Sequence, residues 1–149
     1  MKPRIATLKK ITDEAHGLKG FTFSIPKLGS QPGQFVMLWL PGVDQKPFSI
    51  AADDDKSFTT VVFKINVFTD ALFHMKVGDN IGVSGPYGNP FTWQPKQQVI
   101  AVGGGYGAAP LSYLIRSAKK DRCRYELLIG AKTKKLLLYT KHFPKRTFL

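Results

Sequence analysis

Two stretches of the chain carry residue types whose spacing could do chemistry. The first, VIAVGGGYGAAPLSYLI (residues 99–115), runs an apolar strand into Gly103, Gly104, Gly105 and Gly107 and leaves along a helix-like pattern. A strand that enters glycines and then a helix gathers free backbone N–H groups at the positive helix end, a natural seat for a phosphate. Gly103, Gly105 and Ala108 fit a loose G-x-G-x-x-A, yet the acidic residue that would hold a ribose after a second strand is missing. GAKTKK, with Lys132, stands there instead. The same glycines suit tight packing of a helix on a strand equally well, and the pattern alone does not choose. The second stretch, QPGQFVMLWLPGVDQKPFSIA (residues 31–51), sets Lys46 before the rigid Pro47, then Phe48 and Ser49. Lys46 suits a phosphate, Phe48 a ring and Ser49 a polar heteroatom. Ordinary strand alternation with Phe48 in a core accounts for the same residues.

The other chemistry-bearing types are poorly placed. His16, His74 and His142 are dispersed, without a second ligand at metal spacing. Asp53, Asp54 and Asp55 form an acidic cluster that reads most simply as a polar hairpin turn. Ser49 and Ser112 lack the G-x-S-x-G elbow of a nucleophilic serine. A single cysteine, Cys123, excludes an internal disulfide and a cysteine metal cage. Trp39 is expected in a core and Trp93 between two packing units.

The elements that must position these residues change character along the chain. RIATLKKITDE, LKGFTFSIP, QFVMLWL, PFSIAA, FTTVVFKINV and NIGVSG alternate or concentrate strand formers, separated by turn compositions such as PGVDQK and ADDDK. Five or six short strands at this spacing predict a small antiparallel Greek-key barrel. FTDALFHMKVGD predicts one helix, with Thr69 as its cap, Ala71, Leu72 and Met75 on one side, and Gly78 ending it. GPYGNPFTWQPKQ (residues 85–97) has linker composition and places a boundary near residue 95. After it, the unalternated VIAV predicts a parallel strand covered on both faces. Ala108, Leu111, Ile115 and Ala118 predict a helix with one apolar side, opened by Pro110. RYELLIG completes a βαβ unit, and the tail predicts another helix before Pro144.

The 149 residues carry a net charge of +12, unevenly spread. Residues 1–115 hold 11 Lys/Arg against 8 Asp/Glu, whereas residues 116–149 hold 11 against 2. Such a basic segment raises nucleic acid as a partner, but no RNA-binding aromatic signature accompanies it, and a solvated face explains it better. No apolar run approaches the ~20 residues of a membrane span. MKPRIATLKK lacks the apolar middle of a secretory signal, so a soluble cytoplasmic protein is expected.

The order PGQF…KPFS, FTDALF…VGD, GPYGNPF and GGGYGAAPL resembles the ferredoxin-reductase-like flavoproteins, and among them the electron-transfer subunits of archaeal-type dihydroorotate dehydrogenases. The resemblance covers residues from about 3 to 140. It implies a Greek-key FAD-binding barrel over residues 1–94 and part of an NAD-binding lobe over residues 95–149. By the same resemblance the flavin motif falls on Lys46, Pro47, Phe48 and Ser49, with lysine in the place of arginine and without its bidentate fork. The next flavin-contacting strand falls on Val62, Phe63 and Lys64. The diphosphate turn falls on Phe68 and Thr69, where Asn66 or Val67 stands in place of the usual glycine and Asn66 is the one suited to a positive φ. Gly103, Gly104, Gly105, Tyr106, Gly107, Ala108 and Pro110 fall on the nicotinamide-nucleotide loop.

The implied activity is hydride transfer from NADH to FAD and electron relay to a catalytic dehydrogenase subunit in a hetero-oligomer, serving pyrimidine biosynthesis. Another diaphorase-type subunit, of a sulfide dehydrogenase or hydrogenase, and a basic nucleic-acid-binding barrel are the alternatives. The family's four cysteines for a [2Fe-2S] cluster are absent here, so no cluster, and no other metal, is expected in the chain. A nucleotide lobe with one βαβ unit reads as truncated, frameshifted or completed by a partner, with a partial NAD(H) site.

Overall fold

The computed structural model describes residues 2–139, 142 and 143, and the backbone of residues 146–148. Seven antiparallel strands form the first sheet: β1 (Arg4–Ala15), β2 (Leu18–Ser24), β3 (Phe35–Leu40), β4 (Asp44–Ser49), β5 (Ala52–Asp53), β6 (Ser57–Phe63) and β7 (Asn80–Tyr87). Their spatial order is β4-β3-β7-β1-β2-β6-β5, so sequence neighbours are split as a Greek key requires. The sheet curls until its ends meet. Thr60 Oγ1 donates to the Ser49 carbonyl at 3.0 Å and Ala51 N to the Thr59 carbonyl at 2.8 Å, tying the β4–β5 chain onto β6.

Period-two alternation explains the barrel interior. Phe21 and Phe23 of β2, Phe58 and Val62 of β6, and Val36 and Leu38 of β3 are buried, while Thr22 and the odd-numbered residues of β3 are not. The rings of Phe23 and Phe58 stack at 5.6 Å, on the scale at which aromatic pairs add to area burial. The same alternation corrects the expectation for Trp39. It is 40% exposed and lies on the outer face against Gly82, where even a methyl group would meet its ring. The expected run FTTVVFKINV also ends earlier, at Phe63, because Asn66 starts a helix.

That helix is α1 (Val67–His74), and its cap differs from the expectation. Asn66, not Thr69, is the N-cap: its side chain accepts from Thr69 N at 2.9 Å, and Thr69 Oγ1 accepts from Asn66 N at 2.9 Å. This reciprocal box satisfies two amides at once. Asn66 sits at φ −151°, extended, so no positive φ is needed. The helix buries Phe68 and Leu72 and closes at Met75, three residues before Gly78.

Beyond the linker, β8 (Gln98–Gly104), β9 (Arg124–Gly130) and β10 (Arg146–Phe148) form a parallel sheet in the order β10-β9-β8. A 3-10 turn (Gly105–Ala108) and α2 (Leu111–Lys120) connect β8 to β9. Ala108, Leu111, Ile115 and Ala118 are all buried, as their spacing predicts. Pro110 is the helix cap, where its missing N–H costs nothing. The two-sided burial expected for VIAV does not occur: α2 covers Ala101, while Ile100 and Val102 are 61% and 70% exposed. The tail expectation is also corrected. After β9 comes a single 3-10 turn (Lys134–Leu136), while Thr140, Lys141, Pro144 and Lys145 lie outside the described residues. Trp93, expected between the units, donates from Nε1 to Asp121 at 2.8 Å and ties the linker to the end of α2.

Two hydroxyls close the joint between the sheets, and a third ties the second unit's tail to its own glycine loop. Ser112 Oγ donates to the Ala51 carbonyl, Tyr113 OH to the Ser30 carbonyl and Tyr139 OH to the Ala109 carbonyl, each at 2.7 Å. Burial favours the neutral phenol and pushes Tyr139 from its ordinary 10 up to about 12. The folded protein therefore keeps a proton that the unfolded chain releases near pH 10. Its contribution is complete below pH 10 and is lost as pH rises through 12, about 2–3 kcal/mol in all by linkage. Urea unfolding at pH 8 and near pH 11.5 should show this loss in the native sequence. Tyr139→Phe should show a correspondingly shallower decline.

Candidate functional site

A cavity of about 310 Å³ opens where the barrel meets the glycine loop. Strand β4 supplies Lys46, Pro47, Phe48 and Ser49, and β6 supplies Val61, Val62 and Phe63. The turn into α1 adds Ile65, Asn66 and Thr69, and the glycine loop adds Tyr106, Gly107, Ala109 and Pro110. Thus ten of the sixteen residues singled out in the sequence share one wall. Val61, Ile65, Asn66 and Ala109 were not among them. Asn66 was legible in principle, since Asn followed three residues later by Thr is a capping signal.

Each β4 side chain has a defined setting. Pro47 is tolerated because β4 ends the ladder and needs no further donor on its free side. Phe48 is half-buried and stacks on the buried Phe68 at 5.7 Å, so it belongs to the core and to the cavity wall together. Lys46 Nζ pairs with Asp44 at 2.6 Å, two residues along the same strand face. That contact, with the Gln45 amide, holds the Asp44 carboxyl below its usual range. Lys64 faces away to Asp70 at 2.5 Å and lowers that carboxyl in the same manner.

The turn into α1 leaves a second polar feature. The Thr69 hydroxyl accepts from the amides of Ile65 and Asn66 and donates to the Asn66 carbonyl, so its bonding capacity is used in the cap. The amides of Val67 and Phe68, first in the helix, have no intrahelical acceptor. They sit beside the Asn66 and Thr69 wall.

The glycine loop divides by position. A Cβ on Gly103 would meet Ala108 Cα at 2.8 Å and Leu111 Cδ1 at 2.7 Å, so this glycine permits close packing of helix on strand. Gly104, Gly105 and Gly107 have open space around them, and Gly105 takes φ +53°. Ala108 is fully buried behind them. A second cavity of about 420 Å³ lies here, lined by Leu18, Phe63, Gly104, Gly105, Tyr106 and neighbours that include Lys132. The rings of Phe63 and Tyr106 stack at 5.7 Å and 20°, and both belong to each cavity. This aromatic pair is the partition between the two chambers.

The chemistry of the first chamber is narrow. Among the described residues it is lined by no carboxylate, imidazole or thiol, so no general acid–base pair or thiolate nucleophile is at hand. No group of three or more His, Cys, Asp or Glu among the described residues could hold a metal ion. No helix among them is long and apolar enough to cross a membrane.

The family described as the oxidoreductase FAD-binding domain matches residues 5–92. The chain belongs to this family. A "Probable dihydroorotate dehydrogenase B (NAD(+)), electron transfer subunit" of Methanocaldococcus jannaschii is 40% identical over 97% of this chain and 54% of its own length. Its namesake in Methanocella arvoryzae is 36% identical over 98% of this chain and 54% of its own length. The chain therefore spans about half the length of the curated relatives it matches. The solved NADH-dependent reduced ferredoxin-NADP oxidoreductase superposes with a TM-score of 0.85 at 27% identity, over 98% of this chain and 56% of that one. Phthalate dioxygenase reductase shares the fold, with a TM-score of 0.85 at 14% identity over 99% of this chain and 51% of that one. The flavoprotein resemblance and the barrel with its partial parallel unit are thereby borne out.

The contrast among the glycines is directly measurable. Gly103→Ala should cost about 1–3 kcal/mol by overpacking against Ala108, while Gly104→Ala, at φ −110° in open space, should stay within about 0.5 kcal/mol of the native sequence in urea unfolding.

Proposed function

We propose that the chain is the FAD-binding portion of an electron-transfer flavoprotein subunit of the dihydroorotate dehydrogenase B type. Such a subunit takes hydride from NADH and passes electrons to a catalytic dehydrogenase partner. The observation that carries the reading is the first chamber: the cation, stacked aromatic and hydroxyl of β4 line it together with β6, the turn into α1 and the open Gly107 of the glycine loop, without a carboxylate in the lining. The relatives' names supply the substrate class.

The residues present fit FAD. Lys46 has the charge for the diphosphate, and the turn into α1 brings Asn66 and Thr69 to the same wall at the helix's positive end. Ser49 offers a hydroxyl to a polar ring edge, and Phe48, fixed by Phe68, offers an aromatic edge. Val62 and Phe63 complete the wall from β6. FAD, when bound, supplies the hydride and one-electron chemistry, and the protein supplies orientation and electrostatics. Thr69 acts by fixing the helix start. Lys46 must exchange Asp44 for the ligand, a low-cost exchange for a half-exposed pair.

The second chamber suits the nicotinamide nucleotide. Its glycine backbone is open for close approach, and Lys132 is the cation at its edge. Gly103, Ala108 and Pro110 shape the loop from behind. The Phe63–Tyr106 partition separates the chambers, so contact between the two rings requires it to part. A boundary near residue 95 follows the linker's own contacts: Phe91 N binds the Pro32 carbonyl on the barrel side, and Trp93 binds Asp121 on the other. The [2Fe-2S] cluster of the resemblance does not fit these residues. Cys123, the one cysteine, is buried and directs its thiol to the Gln94 carbonyl.

The test is reconstitution with FAD followed by desalting. The protein should remain yellow with flavin absorbance, and Lys46→Gln should weaken FAD binding about tenfold, the scale of one charge-assisted contact. A colourless protein with an unchanged unfolding transition would sink the proposal.

A further inference from the structure

A third cavity, of about 230 Å³, lies on the outer face of the barrel and is lined by different residues from the flavin chamber apart from Val61. Its floor is a row across three strands: Lys10 pairs with Thr22, and Thr22 with Thr59. Gly20 deepens the floor, since a Cβ there would meet Thr12 Oγ1 at 2.5 Å and Glu14 Oε1 at 2.8 Å. One wall is α2, which brings Ser112 and, one turn later, Arg116. The other carries Tyr139 and His142, whose rings meet edge to face at 5.9 Å.

The charges here are unbalanced. Lys10 and Arg116 line the cavity with His142, against a single acid, Glu14. Among the described residues the ion pairs are Lys46–Asp44, Lys64–Asp70 and His74–Asp70, so neither Lys10 nor Arg116 has a carboxylate partner. Glu14 instead accepts from Thr12 Oγ1 at 2.7 Å. The Thr22 and Thr59 hydroxyls bond each other at 2.8 Å, which uses one proton and leaves the other to donate elsewhere. The site thus presents two permanent cations, an imidazole and a hydroxyl donor around a concave floor, an arrangement made for an oxyanion. Its volume of about 230 Å³ is the smallest of the three cavities and suits a compact anion.

We infer that this cleft is a binding site for a small phosphorylated anion, of phosphate to pyrophosphate size, held by Lys10, Arg116 and the threonine row. Because Arg116 rides on α2 and Lys10 on β1, the bound anion ties the second unit to the barrel. It acts at the same joint as the Ser112 bond to Ala51.

The experiment is a pyrophosphate titration of the full chain at constant ionic strength, with FAD present at saturation to occupy the first chamber. Thermal unfolding and phosphorus NMR line width provide the readouts. Pyrophosphate should raise the unfolding midpoint saturably, chloride at equal ionic strength should not, and Arg116→Gln and Lys10→Gln should each weaken the effect about tenfold. Lys46→Gln, in the flavin chamber, should leave it intact. Equal shifts from chloride and pyrophosphate, or an undiminished pyrophosphate effect in both Arg116→Gln and Lys10→Gln, would overturn the inference. Loss of the effect in Lys46→Gln alone would overturn it too, by placing the anion in the flavin chamber.

Discussion

The cavities exist because a helix on one sheet is docked onto loops of another by buried hydroxyls. Ser112 and Tyr113 are neighbours at the start of α2, yet each reaches a different barrel carbonyl, Ala51 and Ser30, at 2.7 Å. Two adjacent bonds in different directions fix an orientation, where one would leave a hinge. Ser30 is itself held by Asp53, whose carboxylate accepts from its amide at 3.0 Å and its hydroxyl at 2.6 Å. The acidic turn of residues 53–55 therefore does more than reverse the chain. It positions the carbonyl that receives Tyr113, and through α2 it places the glycine loop over β6.

From that docking follows the partition of the functional face. Tyr106 stands on the loop that α2 carries, and Phe63 stands at the end of β6, so their stacking depends on the joint. Tyr106 is half exposed despite the stack, which leaves an aromatic pair at the surface between two chambers. Such a pair costs little to open, because aromatic stacking adds about 0.5–1.5 kcal/mol beyond burial. The arrangement combines rigidity in the frame with low resistance at the contact through which two ligands would meet.

The motifs that line the first chamber were legible because short-range spacing controls them. Lys46 to Ser49 lie on one strand, and the strand-to-glycine-to-helix order around residue 105 needs only local periodicity. What sequence could not resolve was the division of labour within each motif. Gly103 serves packing and Gly104, Gly105 and Gly107 serve access, a distinction set by Ala108 and Leu111 approaching in three dimensions. Trp39 looked like core by size, but strand parity puts Val36 and Leu38 inward and leaves Trp39 outside. Thr69 looked like a cap by type, yet the cap is the Asn three residues earlier, and the Thr answers it. VIAV looked covered on both faces because it does not alternate. Ile100 and Val102 are nonetheless exposed, since composition reports what a strand can bury and not which neighbours reach it.

The composition of the first chamber bears on what it can do. A hydrolase or lyase needs a group whose proton moves at neutral pH, and such groups are carboxylates, imidazoles, thiols or desolvated lysines. The described lining of the chamber offers none of the first three. Its lysine is half exposed and paired to Asp44 at 2.6 Å. What remains along the lining is a paired cation, hydroxyls and a buttressed ring. A site so equipped can hold and orient a bound group. That is the division of work expected when the bound group carries the reaction.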